Sequence, residues 1–542
     1  MRQNLKLMVG CLLVAAGLLA VPVLHAVVLG LNLLANLLVL GWQAVATRLP
    51  VRRPATCLPG AERPFVSIHV PAHCEPPVLL IETLQSLSRL RWDNYEVLVI
   101  DNNTAAETLW RPVEAACREL GPRFRFLHVE GLRGAKAGAM NWARQFMNPA
   151  AEFIFVVDAD YVVRRDALER ALAHCLDERI ALVQFPQDYR NITAANRGVA
   201  LDYRHYFAAY MNMANRLGCV PSTGTLTLLR VVALQAVGGF DERVVTEDAE
   251  LGLRLNLAGF RTVFADETVG HGLMPHDLDS LRKQRWRWAF GNAQILRANW
   301  RALTVGRQLS WSQKLGCLAH LTAWFNFNLI PSFSLLLLAP LAFLRVMHPL
   351  QPFLVVTAWF TLVTYFVLRF CTLASALRRD GHRWSDVFHA FATHVGLGWI
   401  FSLSWLKCLF NPREPFLRTN KFLHDRMPGL LAAAVVELTV GVALLFASVA
   451  LALADFLFGP VLALVMCLAR FAIVWVWHQM RHTMRFTAML MAASERRLRL
   501  TGLPAMPAPA PIRPVGEASP DGKGFTRFSW SSWPGRSVSP AR

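Results

Sequence analysis

The stretch FIFVVDADY, from Phe153 to Tyr161, joins an apolar run to two aspartates, Asp158 and Asp160. The apolar run predicts a buried β-strand, and the aspartates follow where the strand gives way to a loop. Side chains two residues apart share one face of a strand, so both carboxylates can reach one hard cation through oxygen ligands. A D-x-D pair alone is also common in solvated loops, so its interpretation depends on the surrounding sequence.

Short β-branched runs alternate with helix-length segments between Pro64 and Ala302. The predicted strands, in chain order, are FVSIHV, YEVLVI, FRFLHV, FIFVV and ALVQF. Repeated β-α units of this kind predict an α/β domain with a mostly parallel sheet. Since ligands bind such sheets at the carboxyl ends of the strands, the polar residues there form the candidate site.

Polar residues follow the predicted strands at this edge of the sheet. Glu75 lies in HVPAHCEP after the first strand, Asp101 ends the second in VIDNNT, and the D-x-D pair ends the fourth. Three aspartates at two strand ends favour binding of a metal ion with a diphosphate.

Two further segments place charged residues at predicted helix starts. GLRGAKAGAMNWA puts Lys136 at a glycine-rich turn, where backbone N–H groups and an ammonium can meet a phosphate. It lacks the Walker A spacing, and an ordinary turn with a solvated lysine is an equally good interpretation. In VVTEDAELGLRL, Glu247 and Asp248 follow Thr246 at a helix start, where helix capping by itself explains two acids.

The composition is that of a membrane protein. The 542 residues are 54% hydrophobic and only 17% charged, with a mean hydropathy of +0.33. The net charge of +19 arises largely from Arg and Lys that flank apolar runs, as in RRDGHR and SERRLRL, which favours the positive-inside rule over nucleic-acid binding. The ten cysteines form no C-x-x-C pair and are predicted to be reduced core thiols.

Apolar segments predict six membrane spans. Residues 7–46 lack charged side chains and are long enough for a hairpin of two spans, although a signal peptide ending near VLHA is an alternative. Four later spans are predicted at Leu318–Leu344, Phe353–Leu373, Leu430–Ala454 and Gly459–Trp477. Trp384–Phe410 is either a helix along the membrane interface, which we favour, or a seventh span that would invert everything after it. The distribution of Arg and Lys places the long polar regions in the cytoplasm.

The stretch SLRKQRWRWAFG, from Ser280 to Gly291, has two tryptophans and four basic residues just before an apolar region. Alone, it is equally well explained by interfacial anchors beside a span. The order of the motifs is more specific: an acid after strand two, D-x-D after strand four, T-E-D, Q-x-x-R-W, then membrane helices. In this order the chain resembles the processive family 2 glycosyltransferases, whose best-known members are the bacterial cellulose synthases, from about Pro64 to Lys421.

The resemblance implies a GT-A-type glycosyltransferase domain inserted between transmembrane segments. The implied regions are an N-terminal hairpin at 1–47, the cytoplasmic GT-A domain at 48–302, a channel region at 303–482 and a basic segment with a disordered Pro/Ser-rich tail at 483–542. The channel region would contain the interfacial helix at 384–410 and a gating loop at 411–422.

Matching the family's motifs residue by residue implies a complete set of roles. Asp248 would be the general base beside Glu247, in inverting chemistry. The donor, a UDP-sugar, would contact Glu75, Asp101, Lys136, Asp158, Gln284 and Arg287. Asp158 and Asp160 would hold Mg²⁺ or Mn²⁺, and Gly224, Thr225 and Trp288 would face the acceptor sugar. Phe416, Thr419 and Lys421 of FLRTNK match the F-x-x-T-x-K gating loop.

The implied function is processive polymerisation of a hexose, glucose foremost, from a UDP-sugar into a β-linked polysaccharide that crosses the bacterial inner membrane. Its implied partners are the donor, the growing polysaccharide and the bilayer, with a periplasmic accessory subunit left open and no nucleic acid. The alternatives are a non-processive family 2 transferase acting on a polyprenyl or glycolipid acceptor, and a non-catalytic membrane scaffold. The Q-x-x-R-W motif and the gating loop favour the polymerase.

Three features depart from the cellulose synthases. His73-Cys74-Glu75 replaces an aromatic or small residue followed by Asn-Glu, and DNNT replaces D-D-G-S. DNNT, ETLWRPVEAACRELG and QFPQDYR are similar to a bacterial branch associated with other β-glucans, including 1,3-linked ones, so the linkage stays open. After the last predicted span no R-x-x-x-R precedes a β-barrel pattern, so we expect no regulation by cyclic di-GMP.

Overall fold

The computed structural model describes residues 2–48, 63–175, 177–416, 418–423, 428–456 and 459–500. These residues belong to one structural unit, Met1–Pro504. The predicted disordered tail from Pro504 onward lies outside the described residues.

All five strands predicted from the sequence are present, and five short strands accompany them. The strands are β1 (Phe65–Ala72), β2 (Tyr95–Asn102), β3 (Phe124–Val129), β4 (Ala151–Val156), β5 (Val162–Val163), β6 (Ile180–Gln184), β7 (Asp188–Tyr189), β8 (Thr227–Arg230), β9 (Arg261–Phe264) and β10 (Gly270–Gly272). Seven of them form a sheet in the order β3-β2-β1-β4-β8-β6-β9. Only β8 is antiparallel to its neighbours in this sheet.

In the part of the chain that the structure describes, three helices precede the first strand, eight lie between the first and the last strand, and seven follow the last strand. They are α1 (Arg2–Leu19), α2 (Pro22–Ala35), α3 (Gly41–Ala46), α4 (Pro77–Leu87), α5 (Glu107–Leu120), α6 (Ala135–Ala143), α7 (Ala167–Leu172), α8 (Arg197–His205), α9 (Asn212–Leu217), α10 (Val231–Ala236), α11 (Glu247–Leu257), α12 (Leu278–Thr304), α13 (Trp311–Leu321), α14 (Leu329–Phe343), α15 (Gln351–Arg379), α16 (Trp384–Phe410), α17 (Leu430–Leu453) and α18 (Gly459–Leu500).

The sheet brings the predicted strand-end residues to one edge. Strands β1, β2 and β4 run parallel, with Ala72 of β1 opposite Asp101 of β2 and His69 of β1 opposite Val156 of β4. Strand β2 is buried at every position because helices cover both faces of the sheet. Glu75, Asp101 and the D-x-D pair therefore follow neighbouring strands at the same end.

Four helical segments among the described residues are long and apolar enough to cross a membrane. They are Pro22–Ala46, Gln351–Arg379, Trp384–Phe410 and Leu430–Leu453, and Lys6–Leu19 and Leu329–Phe343 are shorter apolar helices. Helix α16 has the length and composition of a membrane span, but 72% of its most apolar stretch is buried inside the protein. Its interfacial location and the count of six spans stay predictions.

The predicted span Leu318–Leu344 is not one continuous helix. Helix α13 ends at Leu321 and α14 begins at Leu329. The guanidinium of Arg369, on α15, donates to the carbonyls of Ala323 and Phe325 in the connecting segment. Backbone groups freed by the break thus find a buried partner, which permits an interruption within an apolar region.

Helix α18 begins at the predicted last span but is 42 residues long and ends at Leu500. It packs against α4, α8 and α16. Asn191 and Asn196, which precede α8, donate to the hydroxyls of Thr487 and Thr483 on α18. Residues 483–500, predicted as a basic segment, therefore form a helix that packs on the α/β domain.

Candidate active site

A cavity of about 500 Å³ lies at the carboxyl edge of the sheet, between this edge, helix α12, Phe416 and residues 418–421. Its lining includes every predicted site residue except Asp101 and Thr225. The predicted residues that line it are Glu75, Lys136, Asp158, Asp160, Gly224, Glu247, Asp248, Gln284, Arg287, Trp288, Phe416, Thr419 and Lys421. Folding thus brings residues from seven separate parts of the chain around one cavity.

Lys136 and Asp158 form an ion pair at the floor of the cavity. Lys136 Nζ donates to Asp158 Oδ1 at 2.5 Å and to the carbonyl of Gly224 at 2.7 Å. Burial disfavours the charged lysine, but Asp158, Glu247 and Asp248 outweigh that cost and raise its pKa. A permanently charged ammonium beside the D-x-D pair suits a diphosphate.

Asp160 is paired with the segment at 411–422, which the family resemblance predicts as a gating loop and which is named the gating segment for that prediction. Lys421 Nζ donates to Asp160 Oδ1 at 2.8 Å and lies 3.5 Å from Glu75 Oε2. Arg418 Nη2 lies 3.1 Å from the same oxygen of Glu75. The other oxygen of Asp160 accepts the backbone N–H of Leu273 at 2.9 Å. Residues 418–421 therefore bind the acids that follow strands β1 and β4.

The T-E-D motif begins α11 and projects its acids into the cavity. Burial, together with the neighbouring Asp248, raises the pKa of Glu247 to about 7. Burial also raises the pKa of Asp248, although Lys136 and Arg287 act against it. Two acids with raised pKa values beside two basic groups are typical of an acid–base site.

The carboxylate of Asp248 lies close to the Cα atom of Gly224, where any other residue would have a side chain. The φ of this glycine is +80°, and a Cβ built on it would lie 2.6 Å from Asp248 Oδ2. The same Cβ would lie 3.5 Å from Lys136 Nζ. A side chain at this position would therefore disturb both groups, which explains a glycine here in terms of this site.

Helix α12 carries the Q-x-x-R-W motif along one wall of the cavity. Gln284, Arg287 and Trp288 are all part-exposed to it. The guanidinium of Arg287 lies 4.5 Å from the ring of Phe416, in the gating segment. Trp288 packs against Trp324 at 5.4 Å, in the break between α13 and α14. The motif therefore spans from the gating segment to the membrane region.

Helix α12 also lies directly against the T-E-D motif. A Cβ at Gly291 would collide with the side chain of Thr246. Only glycine allows the two segments to approach this closely. The spacing between Asp248 and Trp288 depends on this contact.

The gating segment is anchored at its beginning. Glu414 forms a buried ion pair with Lys407 of α16, and Trp286 Nε1 donates to its carboxylate at 3.0 Å. Gln294 Nε2 donates to the carbonyl of Pro412 at 3.0 Å. These contacts fix Pro412 and Glu414, and the residues that follow, Phe416 and 418–421, line the cavity.

Asp101 and Thr225 are the two predicted site residues that do not line the cavity. Asp101 is buried, accepts the hydroxyl of Thr104 at 2.7 Å and lies 2.8 Å from His128 Nδ1. Thr225 accepts the backbone N–H of Asp158 at 3.0 Å. Asp101 therefore shapes the loop behind the cavity, while Thr225 holds the backbone of the D-x-D pair.

Several residues that line the cavity were not predicted from the sequence, and Arg418 and Thr487 are two of them. Arg418 lies inside FLRTNK, where a basic residue amid a motif was an available signal, and it also donates to the carbonyl of Cys74 at 2.5 Å. Thr487 lines the cavity from α18. Nothing local distinguishes this threonine from others on a long helix.

The carboxylates of Asp158 and Asp160 fit a divalent cation. Mg²⁺ is usually held by one or two carboxylates together with substrate phosphates and water, and Mn²⁺ prefers the same oxygen ligands. Each carboxylate already faces a positive group, Lys136 or Lys421. Among the described residues, no group of three or more His, Cys, Asp or Glu is arranged to hold a metal ion.

An acid-lined cavity at the carboxyl edge of a mostly parallel sheet, accompanied by helices long and apolar enough to cross a membrane, is the arrangement expected of a membrane-associated glycosyltransferase of the GT-A class. Two family models match the chain: Glycosyl transferase family group 2 over residues 153–371 and Glycosyl transferase family 2 over residues 67–238. Residues 67–371, which the two models cover together, are therefore similar to the family 2 glycosyltransferases, and the chain is cellulose synthase-like.

Known proteins share moderate sequence identity with this chain. A UDP-forming cellulose synthase catalytic subunit of Komagataeibacter sucrofermentans is 28% identical, over 52% of this chain and 37% of that protein. A probable glucomannan 4-β-mannosyltransferase of Arabidopsis thaliana is 25% identical, over 43% of this chain and 45% of that protein. The chain thus spans less than half the length of these two relatives.

A solved mannosyltransferase of Pyrobaculum calidifontis, in complex with GDP-mannose and Mn²⁺, is also similar. The two sequences are 19% identical, and the match covers 67% of this chain and 98% of the mannosyltransferase, with a TM-score of 0.47.

Proposed function

We propose that this protein is an inverting, processive glycosyltransferase. It polymerises a hexose, glucose foremost, from a UDP-sugar into a β-linked polysaccharide and passes the product across the bacterial inner membrane. The observation that carries this proposal is that Asp248, the D-x-D pair and Trp288 line one cavity at the start of the membrane helices. A donor side and an acceptor side thus share one space.

The diphosphate of the donor binds between the sheet and α12. Lys136 offers an ammonium beside Asp158, and Arg287 and Gln284 contribute from the opposite wall. These groups stabilise the negative charge that develops on the departing diphosphate. A divalent cation held by Asp158 and Asp160 would supply further stabilisation of that charge.

Asp248 acts as the general base. Its carboxylate lies at the start of α11, close to Gly224, and is part-exposed to the cavity. It removes the proton from the acceptor hydroxyl as the oxygen attacks the anomeric carbon from the side opposite the diphosphate, so the anomeric configuration inverts. Its raised pKa makes it a stronger base than an ordinary aspartate.

Trp288 holds the acceptor sugar. An indole ring offers an apolar face on which a sugar ring can stack. Trp288 also contacts Trp324, in the break between α13 and α14, and Trp324 stacks on Tyr206 at 4.8 Å. The contact with Trp324 joins the proposed acceptor platform to the break between α13 and α14, and the contact with Tyr206 joins this break to the α/β domain.

The activity is tested with purified protein in vesicles whose catalytic face points outward. UDP-glucose, UDP-N-acetylglucosamine, UDP-galactose and GDP-mannose are supplied separately, and products are digested with linkage-specific glucanases. We expect polymer from one donor, protected inside the vesicle from added glucanase. A single sugar extracted with lipid would favour the non-processive alternative, and no product from any donor would contradict both.

Asp248→Asn is expected to abolish synthesis while UDP still binds, because the amide cannot accept the proton. Asp279→Asn is the matched control, since Asp279 is an exposed acid on α12 that pairs with Lys283. Turnover near the wild-type rate in Asp248→Asn would remove Asp248 from its role as base. Calorimetry with UDP checks that the donor site is intact.

A further inference from the structure

A buried ion pair lies beneath the Q-x-x-R-W motif. Arg285, on α12, is 0% exposed, and its Nη2 donates to Asp202 Oδ2, on α8, at 2.6 Å. The other oxygen of Asp202 lies 3.1 Å from Nδ1 of His394, on α16. One carboxylate thus joins a helix of the α/β domain, the motif helix and a helix of the membrane region.

The pair is charged at neutral pH. Burial alone would raise the pKa of Asp202, but Arg285 and His394 outweigh it and lower the pKa to about 2. A buried ion pair is seldom more stabilising than apolar residues of similar volume. Stability by itself is therefore a weak reason for these charges, and their contacts indicate another one.

The guanidinium of Arg285 supports two aromatic rings. Its Cζ lies 4.0 Å from the centroid of the Tyr203 ring and 4.9 Å from that of Trp288. The Tyr203 hydroxyl donates to Oε1 of Gln284, and the Tyr203 ring packs edge-on against Trp288 at 5.6 Å. Gln284 and Trp288, which line the cavity, are both held through Arg285 or its stacked tyrosine.

None of Asp202, Arg285 and His394 is among the described residues that line the cavity. They cannot touch a ligand there, so any effect on binding must pass through Gln284 and Trp288. The two free nitrogens of Arg285, Nε and Nη1, have no hydrogen-bond partner among the described groups. This side chain is placed for stacking at the expense of hydrogen bonding.

We infer that Asp202, Arg285 and His394 form a positioning network that sets the orientation of Trp288 and Gln284 and couples it to the position of α16. The role of Trp288 as acceptor platform rests on the proposed function. The contacts of the network with Trp288 do not. A displacement of α16 would move His394, and the carboxylate of Asp202 would transmit this displacement to Arg285 and thereby to Trp288.

The deciding variant is the double substitution Asp202→Leu with Arg285→Met. It removes both charges together and so leaves no unpaired buried charge, which single substitutions would do. It also removes the flat cation between Tyr203 and Trp288. If the ion pair has only a structural role, the variant should have the same mobility at Trp288 as the wild type. If the pair positions Trp288, this side chain should be more mobile in the variant.

Two measurements on the full-length protein distinguish a positioning role of the ion pair from a structural one. Hydrogen–deuterium exchange of residues 284–291 needs no turnover, and we expect it to be about tenfold faster in the double variant. The length of the polymer is expected to fall about fivefold, because a poorly held acceptor dissociates between additions. The matched control, Arg197→Met with Asp386→Asn, removes the charges of another ion pair between α8 and α16, keeps an oxygen that can accept the Arg383 N–H, and should leave both readings unchanged.

Wild-type exchange and product length in the double variant would overturn the network. If the double variant does not fold, Arg285→Lys decides: it keeps the charge beside Asp202 but cannot stack as a plane, so we expect faster exchange and shorter product. Wild-type values in that variant would equally overturn the inference. Absence of any polymer from wild-type protein would contradict the proposed function alone, since the exchange measurement still tests the network.

Discussion

Lys421 and Asp160 are 261 residues apart in the chain, and their charged atoms lie 2.8 Å apart across the cavity. Burial alone would lower the pKa of Lys421, but Asp160 and Glu75 outweigh it and raise the pKa above its usual value. The gating segment therefore places a cation on one carboxylate of the D-x-D pair. An ammonium at this position competes with a divalent metal ion for the same oxygen.

Removing this ammonium is expected to favour metal binding. Lys421→Met should bind Mn²⁺ in the absence of nucleotide about tenfold more tightly, because Asp160 loses its competing cation. Calorimetry with Mn²⁺ alone measures this. Lys283→Met is the control, since Lys283 pairs with the exposed Asp279 on α12. Equal or weaker Mn²⁺ affinity in Lys421→Met would show that the lysine does not compete.

Gly224 and Gly238 form a matched pair for testing the catalytic geometry. Both have a positive φ, +80° and +79°, so alanine strains either backbone by about 1–2 kcal/mol. Only at Gly224 would the new Cβ meet Asp248, whereas nothing lies within 4 Å of it at Gly238. We expect Gly224→Ala to lower kcat about 100-fold or more and Gly238→Ala to leave it nearly unchanged. Similar kcat values for the two variants would contradict the proposed placement of the base.

The contact of α12 with the T-E-D motif is tested by Gly291→Ala. The added methyl group would collide with Thr246, so the helix and the motif must separate. We expect lower activity and a destabilisation of about 1–3 kcal/mol, measured as a fall in Tm. Gly41→Ala, also in a helix but with nothing within 4 Å, should be neutral or stabilising. An unchanged Tm and activity in Gly291→Ala would show that this close approach is not required.

The raised pKa of Glu247 makes stability depend on pH. Its neutral form is favoured in the folded protein, so the stability it contributes is present below pH 4.5 and is lost as pH rises through about 7. Glu247→Gln is neutral at every pH and escapes this loss. Relative to wild type, the variant should therefore gain up to about 3 kcal/mol between pH 5 and pH 8.

Thermal unfolding at the two pH values measures this gain. Glu119→Gln, at an exposed position of α5, is the control. A Tm difference between Glu247→Gln and wild type that is equal at pH 5 and pH 8 would contradict the raised pKa.

Much of the fold follows from local sequence patterns. The strands ending at Asp101 and before Asp158 were predictable because β-branched runs of this length are buried on both faces of a parallel sheet. The helix starts at Lys136 and Glu247 followed from a glycine turn and from acids at a helix N-terminus. The family resemblance named thirteen of the residues that line the cavity, although Asp101 and Thr225, which it also named, do not line it.

The remaining features depend on contacts between distant parts of the chain. The insertion of β8 between β4 and β6, the break before Leu329 and the length of α18 have no distinct local pattern, because each is stabilised by partners elsewhere in the sequence. Arg285 illustrates the same limit: next to Trp286 and Trp288 it resembles a membrane-flanking charge. The sequence by itself determined the alternating elements and the order of the motifs, since both depend on near neighbours. Only the tertiary structure decided that Arg285 is buried against Asp202 and that Lys421 binds Asp160, because electrostatic pairing of this kind acts over a few ångströms and requires the completed fold.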